Sequence, residues 1–104
     1  MSNITSTFRG SANLSPPTTP TVYNVSIGVI NAEYSQMLNS GTKKFLIKFR
    51  GSGRLQLSYT SGQTGTIFLT IPANTAYSED SIEFGGTLYF QCDKLGTVEI
   101  VEWT

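Results

Sequence analysis

From residue 22 onward the apolar positions of this chain recur every second residue, the spacing of strands buried on one face. No stretch carries the i, i+3, i+4, i+7 stripe of an amphipathic helix. Over 22–30, Tyr23, Val25, Ile27 and Val29 alternate with Asn24, Ser26 and Gly28, which predicts one apolar and one polar face. Over 44–50, Phe45, Ile47 and Phe49 point one way, while Lys44, Lys48 and Arg50 share the other face with Leu46. Over 54–60, Leu55, Leu57 and Tyr59 are predicted inward and Arg54, Gln56 and Ser58 outward. The short linker Gly51-Ser52-Gly53 predicts that these last two strands form a hairpin. A second hairpin is expected across the Gly-rich residues 61–65, leading into a strand at 66–71 that places Ile67, Leu69 and Ile71 together before Pro72 ends the pairing. Strands at 81–84, 87–92 and 97–103 follow, separated by the turn residues Gly85-Gly86 and Asp93-Lys94-Leu95-Gly96. For 31–40 two readings stand side by side, a short strand around 33–38 or one helical turn.

About seven to eight short strands within residues 22–104 predict an all-β fold, an antiparallel β-sandwich or jelly-roll-like barrel, because two sheet faces are needed to close one core. Residues 1–21 read differently. They are rich in Ser, Thr, Asn and Pro, and their sizeable apolar side chains are Ile4, Phe8 and Leu14. Fixing such a stretch costs about 1–2 kcal/mol per residue, and burying each apolar side chain returns only about 1.5–3. The division predicted is therefore an extended N-terminal arm over 1–21 that orders only against a partner, followed by a β-sandwich domain over 22–104.

Composition narrows the chemistry. The chain has 104 residues, seven basic and seven acidic side chains, one cysteine and no histidine. Without histidine, Ser-His-Asp and Cys-His catalysis and His-ligated metals are excluded, and a four-cysteine metal site is impossible. Balanced charge gives no basic footprint for direct nucleic-acid contact and no polybasic surface for a membrane. No run approaches the roughly 20 apolar residues of a membrane span, and residues 1–10 show no basic stretch followed by an apolar one, so no secretory signal is expected. The single Cys92 suits a reducing compartment or one indifferent to redox.

Local candidates for chemistry have plain structural readings. Glu79, Asp80, Glu83 and Asp93 match no EF-hand spacing and read as a solvated rim. Cys92 is in phase with Leu88 and Phe90 and reads as a buried structural thiol. The Gly-rich linkers lack the Gly-Lys-Ser/Thr ending of phosphate loops. Asn3-Ile4-Thr5, Asn13-Leu14-Ser15 and Asn24-Val25-Ser26 fit the glycosylation sequon as chance matches in a Ser- and Thr-rich chain. Lys43, Lys44, Lys48, Arg50 and Arg54 read as a solvated basic edge that suppresses unwanted strand pairing. Tyr34, Tyr77, Tyr89 and Trp103 are candidate platforms for a sugar-binding module, with Tyr89 and Trp103, out of phase with the core positions, as candidates for an interface.

The series Glu33-Tyr34-Ser35, Ser40-Gly41-Thr42-Lys43-Lys44-Phe45, Phe49-Arg50, Tyr77-Ser78-Glu79, Thr87-Leu88-Tyr89-Phe90 and 98–104 resembles small β-sandwich virion structural proteins of tailed bacteriophages, some similar to capsid decoration or cement proteins. The resemblance implies a non-enzymatic virion component, synthesised in the host cytoplasm, that requires no cofactor. It would bind between subunits of the major capsid protein, or another virion protein, and stabilise the head, commonly as a homo-oligomer. Phe8, Arg9 and Leu14 of the arm, with Tyr89 and Trp103 of the domain, are the expected partner-binding residues, and the arm is expected to lie along a neighbour as an added strand. The alternatives are a tail, neck or fibre component of the same virion, or a carbohydrate-binding β-sandwich module.

Overall fold

The structure, a computed structural model, describes residues 19–80 and 84–104. Its eight strands are β1 (Pro20–Ile27), β2 (Tyr34–Met37), β3 (Lys44–Arg50), β4 (Leu55–Ser58), β5 (Leu69–Ile71), β6 (Ala76–Glu79), β7 (Thr87–Cys92) and β8 (Gly96–Trp103). They form two four-stranded antiparallel sheets, ordered β1-β8-β3-β6 and β2-β7-β4-β5. Strand 1 pairs with 8, 2 with 7, 3 with 6 and 4 with 5, so the chain is one long hairpin wound across two layers, the jelly-roll arrangement of a β-sandwich. The all-β sandwich predicted from alternation is the fold observed.

The core lies between the sheets. Ile27, Phe45, Ile47, Phe49, Val98 and Ile100 from one layer meet Leu55, Leu57, Ile71, Leu88, Phe90 and Cys92 from the other. These are the in-phase residues of each strand, so the period-two reading placed them correctly in β3, β4, β7 and β8. The open reading at 31–40 resolves as a strand, β2.

Four expectations are corrected. The strands joined by Gly51-Ser52-Gly53 do not form a hairpin: β3 pairs with β8 and β6, β4 pairs with β7 and β5, and the linker carries the chain from one sheet to the other. Alternation says which side chains face the core, and two strands facing each other across a core carry the same pattern as two that lie side by side. The hairpin expected across 61–65 is observed as β4–β5, yet β5 starts only at Leu69 and Ile67 is exposed. The first strand begins at Pro20, inside the stretch assigned to the arm, and ends at Ile27, leaving Val29 exposed beyond it. A strand at 76–79 replaces the one expected at 81–84, where Phe84 lies outside any strand and residues 81–83 lie outside the described residues.

Strand β6 escaped the pattern because one of its inward positions is a carboxylic acid. Glu79 pairs across the sheet with Phe45 and Tyr77 with Ile47, so both face inward, and the Tyr77 hydroxyl donates to the Glu79 carboxyl. That hydrogen bond, followed by burial, raises the Tyr77 phenol above its ordinary value. The same disguise operates at Glu102, in phase with Val98 and Ile100 and fully buried. Its Oε1 accepts from the Tyr23 hydroxyl at 2.9 Å and from the Asn39 backbone N–H at 3.0 Å, and its Oε2 accepts from Asn39 Nδ2. Burial, then the Glu102 hydrogen bond, raises the Tyr23 phenol.

Cys92 closes β7 with its thiol in the core. Burial, with Asp93 adding a smaller like-charge effect, pushes the thiol up to about 12. Reaction with a disulfide reagent at pH 8 should therefore be at least ~100-fold slower in the folded protein than in denaturant. Equal rates would place the thiol at the surface.

Candidate interaction surface

Two connections build one end of the sandwich. At the end of β4, Ser58 Oγ accepts from the Thr60 N–H at 3.1 Å and lies 3.2 Å from the Thr60 carbonyl, to which it donates in turn, fixing the bend where the chain leaves the strand. The chain then turns twice: Gln63 N–H donates to the Thr60 carbonyl at 3.2 Å, and the N–H groups of Thr66 and Ile67 donate to the Gln63 carbonyl at 3.0 and 2.9 Å. Gly62 stands at φ 80°, a left-handed conformation that costs glycine nothing.

This loop is pinned from below by Glu33. Its carboxylate accepts from Gly62 N–H at 2.9 Å and from Thr64 Oγ1 at 2.9 Å, and Thr64 Oγ1 also lies 3.0 Å from Gln91 Oε1 on the outer face of β7. The Gly62 N–H holds the Glu33 carboxyl below its ordinary value against an opposing burial effect, with smaller help from Thr64. A depressed carboxyl contributes stability above its unfolded value and loses it as pH falls through the folded one. The protection of the amides at 62–66, relative to their intrinsic exchange rates, should thus fall more between pH 5 and pH 3 in the native chain than in a Glu33→Gln variant. An equal loss of protection in both would remove Glu33 as the anchor.

What the pinned loop presents outward is apolar. Ile67 is 73% exposed, Tyr59 47%, Leu69 41% and Phe68 40%. With Leu57, Ser58 and Thr60 they line a groove of about 330 Å³ beside β5, whose outer edge has no strand partner among the described residues. Tyr59 closes the groove from inside: its ring meets Phe84 edge-on at 5.5 Å and Phe45 at 6.4 Å, part of a cluster that includes Tyr77. A run of three consecutive apolar residues, Ile67-Phe68-Leu69, cannot all face a core in a period-two strand, and this was the sequence signal for the patch.

The expected partner-binding residues are not brought together. Phe8, Arg9 and Leu14 lie outside the described residues. Tyr89 is on the outer face of the β2-β7-β4-β5 sheet and Trp103 on the outer face of the other, so the two point away from each other. Trp103 is covered by Lys44, whose Nζ sits 4.8 Å from the ring centroid. Tyr34 is committed too, its hydroxyl accepting from the N–H groups of Gly28 and Val29 at 3.0 Å each.

Lys44, Lys48, Arg50 and Arg54 face outward, as alternation predicts, and each lies within 4.0 Å of a carboxylate. Glu99 binds Arg50 at 2.6 Å and Lys48 at 3.4 Å, with the Arg50 hydrogen bond the main reason its carboxyl is held below the ordinary value. Lys44 lies 3.8 Å from Asp80, and Arg54 lies 4.0 Å from Asp93. The larger depression of about 440 Å³ over Lys48, Arg50, Asn74 and Thr75 is therefore a neutralised surface. Glu79 and Asp80 sit at one end of the sandwich and Asp93 at the other, and Glu83 lies outside the described residues. Among the described residues no three His, Cys, Asp or Glu side chains cluster as a metal site, and no helix is long and apolar enough to cross a membrane. Comparison with protein-family models, with curated proteins and with solved structures found no match to this chain.

Proposed function

We propose that this protein works by contact, as a non-enzymatic virion component of the decoration or cement kind, docking between capsid subunits and stabilising the head. The observation that carries the contact reading is the apolar rim of Tyr59, Ile67, Phe68 and Leu69 beside β5, whose outer edge has no strand partner among the described residues. A contiguous exposed apolar patch on a small domain marks an interaction surface, and an open strand edge adds backbone donors and acceptors to it. The groups with the most chemical character are engaged in holding the fold: Cys92 in the core, Glu102 under Tyr23 and Asn39, Glu33 under the Gly62 loop. The jelly-roll winding is shared by capsid proteins and lectins alike, so the fold supports a binding role in general and the assignment to a virion rests on the resemblance of the strand-and-turn series.

Density-gradient sedimentation of the native protein from its source lysate tests the proposal. Co-migration with DNA-filled heads is the result expected. Co-migration with detached tails would move the protein to the tail, and a free, small species would overturn the virion reading and direct attention to glycan binding.

A further inference from the structure

Among the described residues the large apolar side chains left exposed fall into two groups, with Leu95 of the β7–β8 turn apart from both. Tyr59, Ile67, Phe68 and Leu69 form the rim beside β5. Val22, Val29, Ile30 and Met37 belong to β1, to β2 and to the connection between them. The sheet orders and the contact of β1 with β2 put these two strands together at one margin of the sandwich, and β5 with β6 at the other. The second group therefore lies on the wall opposite the rim.

The backbone of that wall is open and regular. Strand β1 has eight residues paired with β8 without a break, whereas the other edge strands, β2, β5 and β6, have four, three and four. Residues 20–27 carry no charge, and their one proline stands at the first position, so the devices that turn a neighbouring strand away are missing. The Thr104 N–H donates to the Thr19 carbonyl at 3.1 Å, which sets the phase of the pairing. Thr21, Tyr23, Val25 and Ile27 point their backbone groups at β8, and Pro20, Val22, Asn24 and Ser26 point theirs at the open edge. No strand among the described residues meets that edge.

We infer that the wall pairs with the same wall of a second copy, the two β1 strands lying antiparallel about a two-fold axis at Asn24. In this register Val22 stands opposite the second copy's Ser26 and Asn24 opposite Asn24, so the open-edge N–H groups from 22 to 26 all find carbonyls. Pro20, which has no N–H to give, falls beyond these pairs. The axis also reverses the wall end for end. Met37 lies at the Thr87 end of β7, while Val29 and Ile30 lie near its Cys92 end, where the Asn31 N–H donates to the Cys92 carbonyl at 2.7 Å. Each copy's Met37 is thereby brought towards the Val29–Ile30 pair of the other. An uncharged edge meets its own image without repulsion, which the β6 edge, with Glu79 and then Asp80, does not allow. A wall about 27 Å long and roughly 20 Å deep gives about 1,000 Å² buried over both copies, the lower bound of a specific interface and the size of a micromolar dimer. The rim stays free on the far side of each copy, so the dimer and the contact function proposed above can fail independently.

Sedimentation equilibrium and residue-resolved amide exchange on the full-length chain, between about 1 and 500 μM, test the inference. The mass is expected to rise towards twice that of the chain, and in step the amides of Val22, Asn24 and Ser26 should slow by at least ~5-fold, while those of Thr21, Tyr23 and Val25 are already protected at the lower concentration. Val22→Lys, at an exposed side chain, and Asn24→Pro, at an N–H that β8 does not use, should each weaken the dimer by at least ~10-fold. A monomer at every concentration would overturn the inference. So would protection of the three amides without a change in mass, which would make the chain's own residues the cover. A doubled mass that leaves those amides exchanging freely would put the dimer elsewhere and overturn it too.

Discussion

Glu102→Ala is expected to lower the stability of the domain by about 3–4 kcal/mol, a large share of the ~5–15 available to a domain of this size. The carboxyl is fully buried and accepts from three donors, the Tyr23 hydroxyl and the N–H and Nδ2 of Asn39. Alanine leaves those donors without acceptors and opens a cavity between β1, β8 and the β2–β3 connection. At roughly 4–8 °C per kcal/mol, the thermal midpoint should fall by about 12–30 °C. Glu102→Gln should cost less, because its amide oxygen keeps one acceptor, although its NH2 faces donors. Tyr23→Phe, which removes a single donor and leaves Asn39 in place, should cost about 1 kcal/mol. Thermal unfolding of the three variants checks the ranking. A Glu102→Ala protein as stable as the native one would mean that the carboxyl does not hold these elements together. The consequence reaches the rim, since Thr42, in the same connection, accepts from the Phe84 N–H at 2.9 Å and Phe84 packs against Tyr59.

The second large effect is expected on binding. Under the virion role proposed above, Ile67→Asp should weaken binding to heads by at least ~100-fold while shifting the unfolding midpoint by less than a few degrees. Ile67 is the most exposed of the rim residues, so an aspartate there is solvated in the free protein, whereas in a contact it places an unpaired charge in an apolar interface. Lys48→Ala is the matched control on the opposite sheet: its partner Glu99 keeps Arg50 at 2.6 Å, and particle binding should hold. Binding isotherms on purified heads give both numbers. Equal affinity of the native and Ile67→Asp proteins would remove the rim from the interface.

The extent to which this molecule is legible in its sequence follows from what alternation encodes. Strands β3 and β7 coincide with the predicted 44–50 and 87–92 because both are long enough to show several inward positions in a row, all apolar. Alternation reports a face and says nothing about the neighbour, which is why Gly51-Ser52-Gly53 was read as a hairpin turn when it is a crossing between sheets. Its neighbour on the far side is now evident: the Arg54 N–H donates to Asp93 Oδ1 at 2.9 Å, tying the β3–β4 crossing to the β7–β8 crossing. Gly96 is required there, since a Cβ would stand 2.6 Å from the Arg50 carbonyl oxygen.

Polar groups in apolar phase are the other blind spot. Glu79 and Glu102 occupy inward positions that a hydrophobicity pattern scores as outward, and each is tolerated because a tyrosine or asparagine donor meets it. For the surface, the phase of Trp103 and Tyr89 along their strands places both outside the core, where they are observed. It could not show that they leave from opposite sheets, or that Lys44 covers the indole. The run Ile67-Phe68-Leu69 carries the rim, but alternation over 66–71 predicts a strand with one apolar face there, whereas the turn closed by the Gln63 carbonyl extends to Ile67 and delays β5 until Leu69.

The central proposal is that this chain makes its contacts through the rim beside β5. Photo-crosslinking from a benzophenone side chain placed at position 67, on protein sedimented with its particle, tests that claim most directly, with the same group at position 48 as the control. An adduct to a particle protein from position 67 and none from position 48 is the predicted result. Adducts from position 48 alone would put the contact on the opposite sheet and contradict the account.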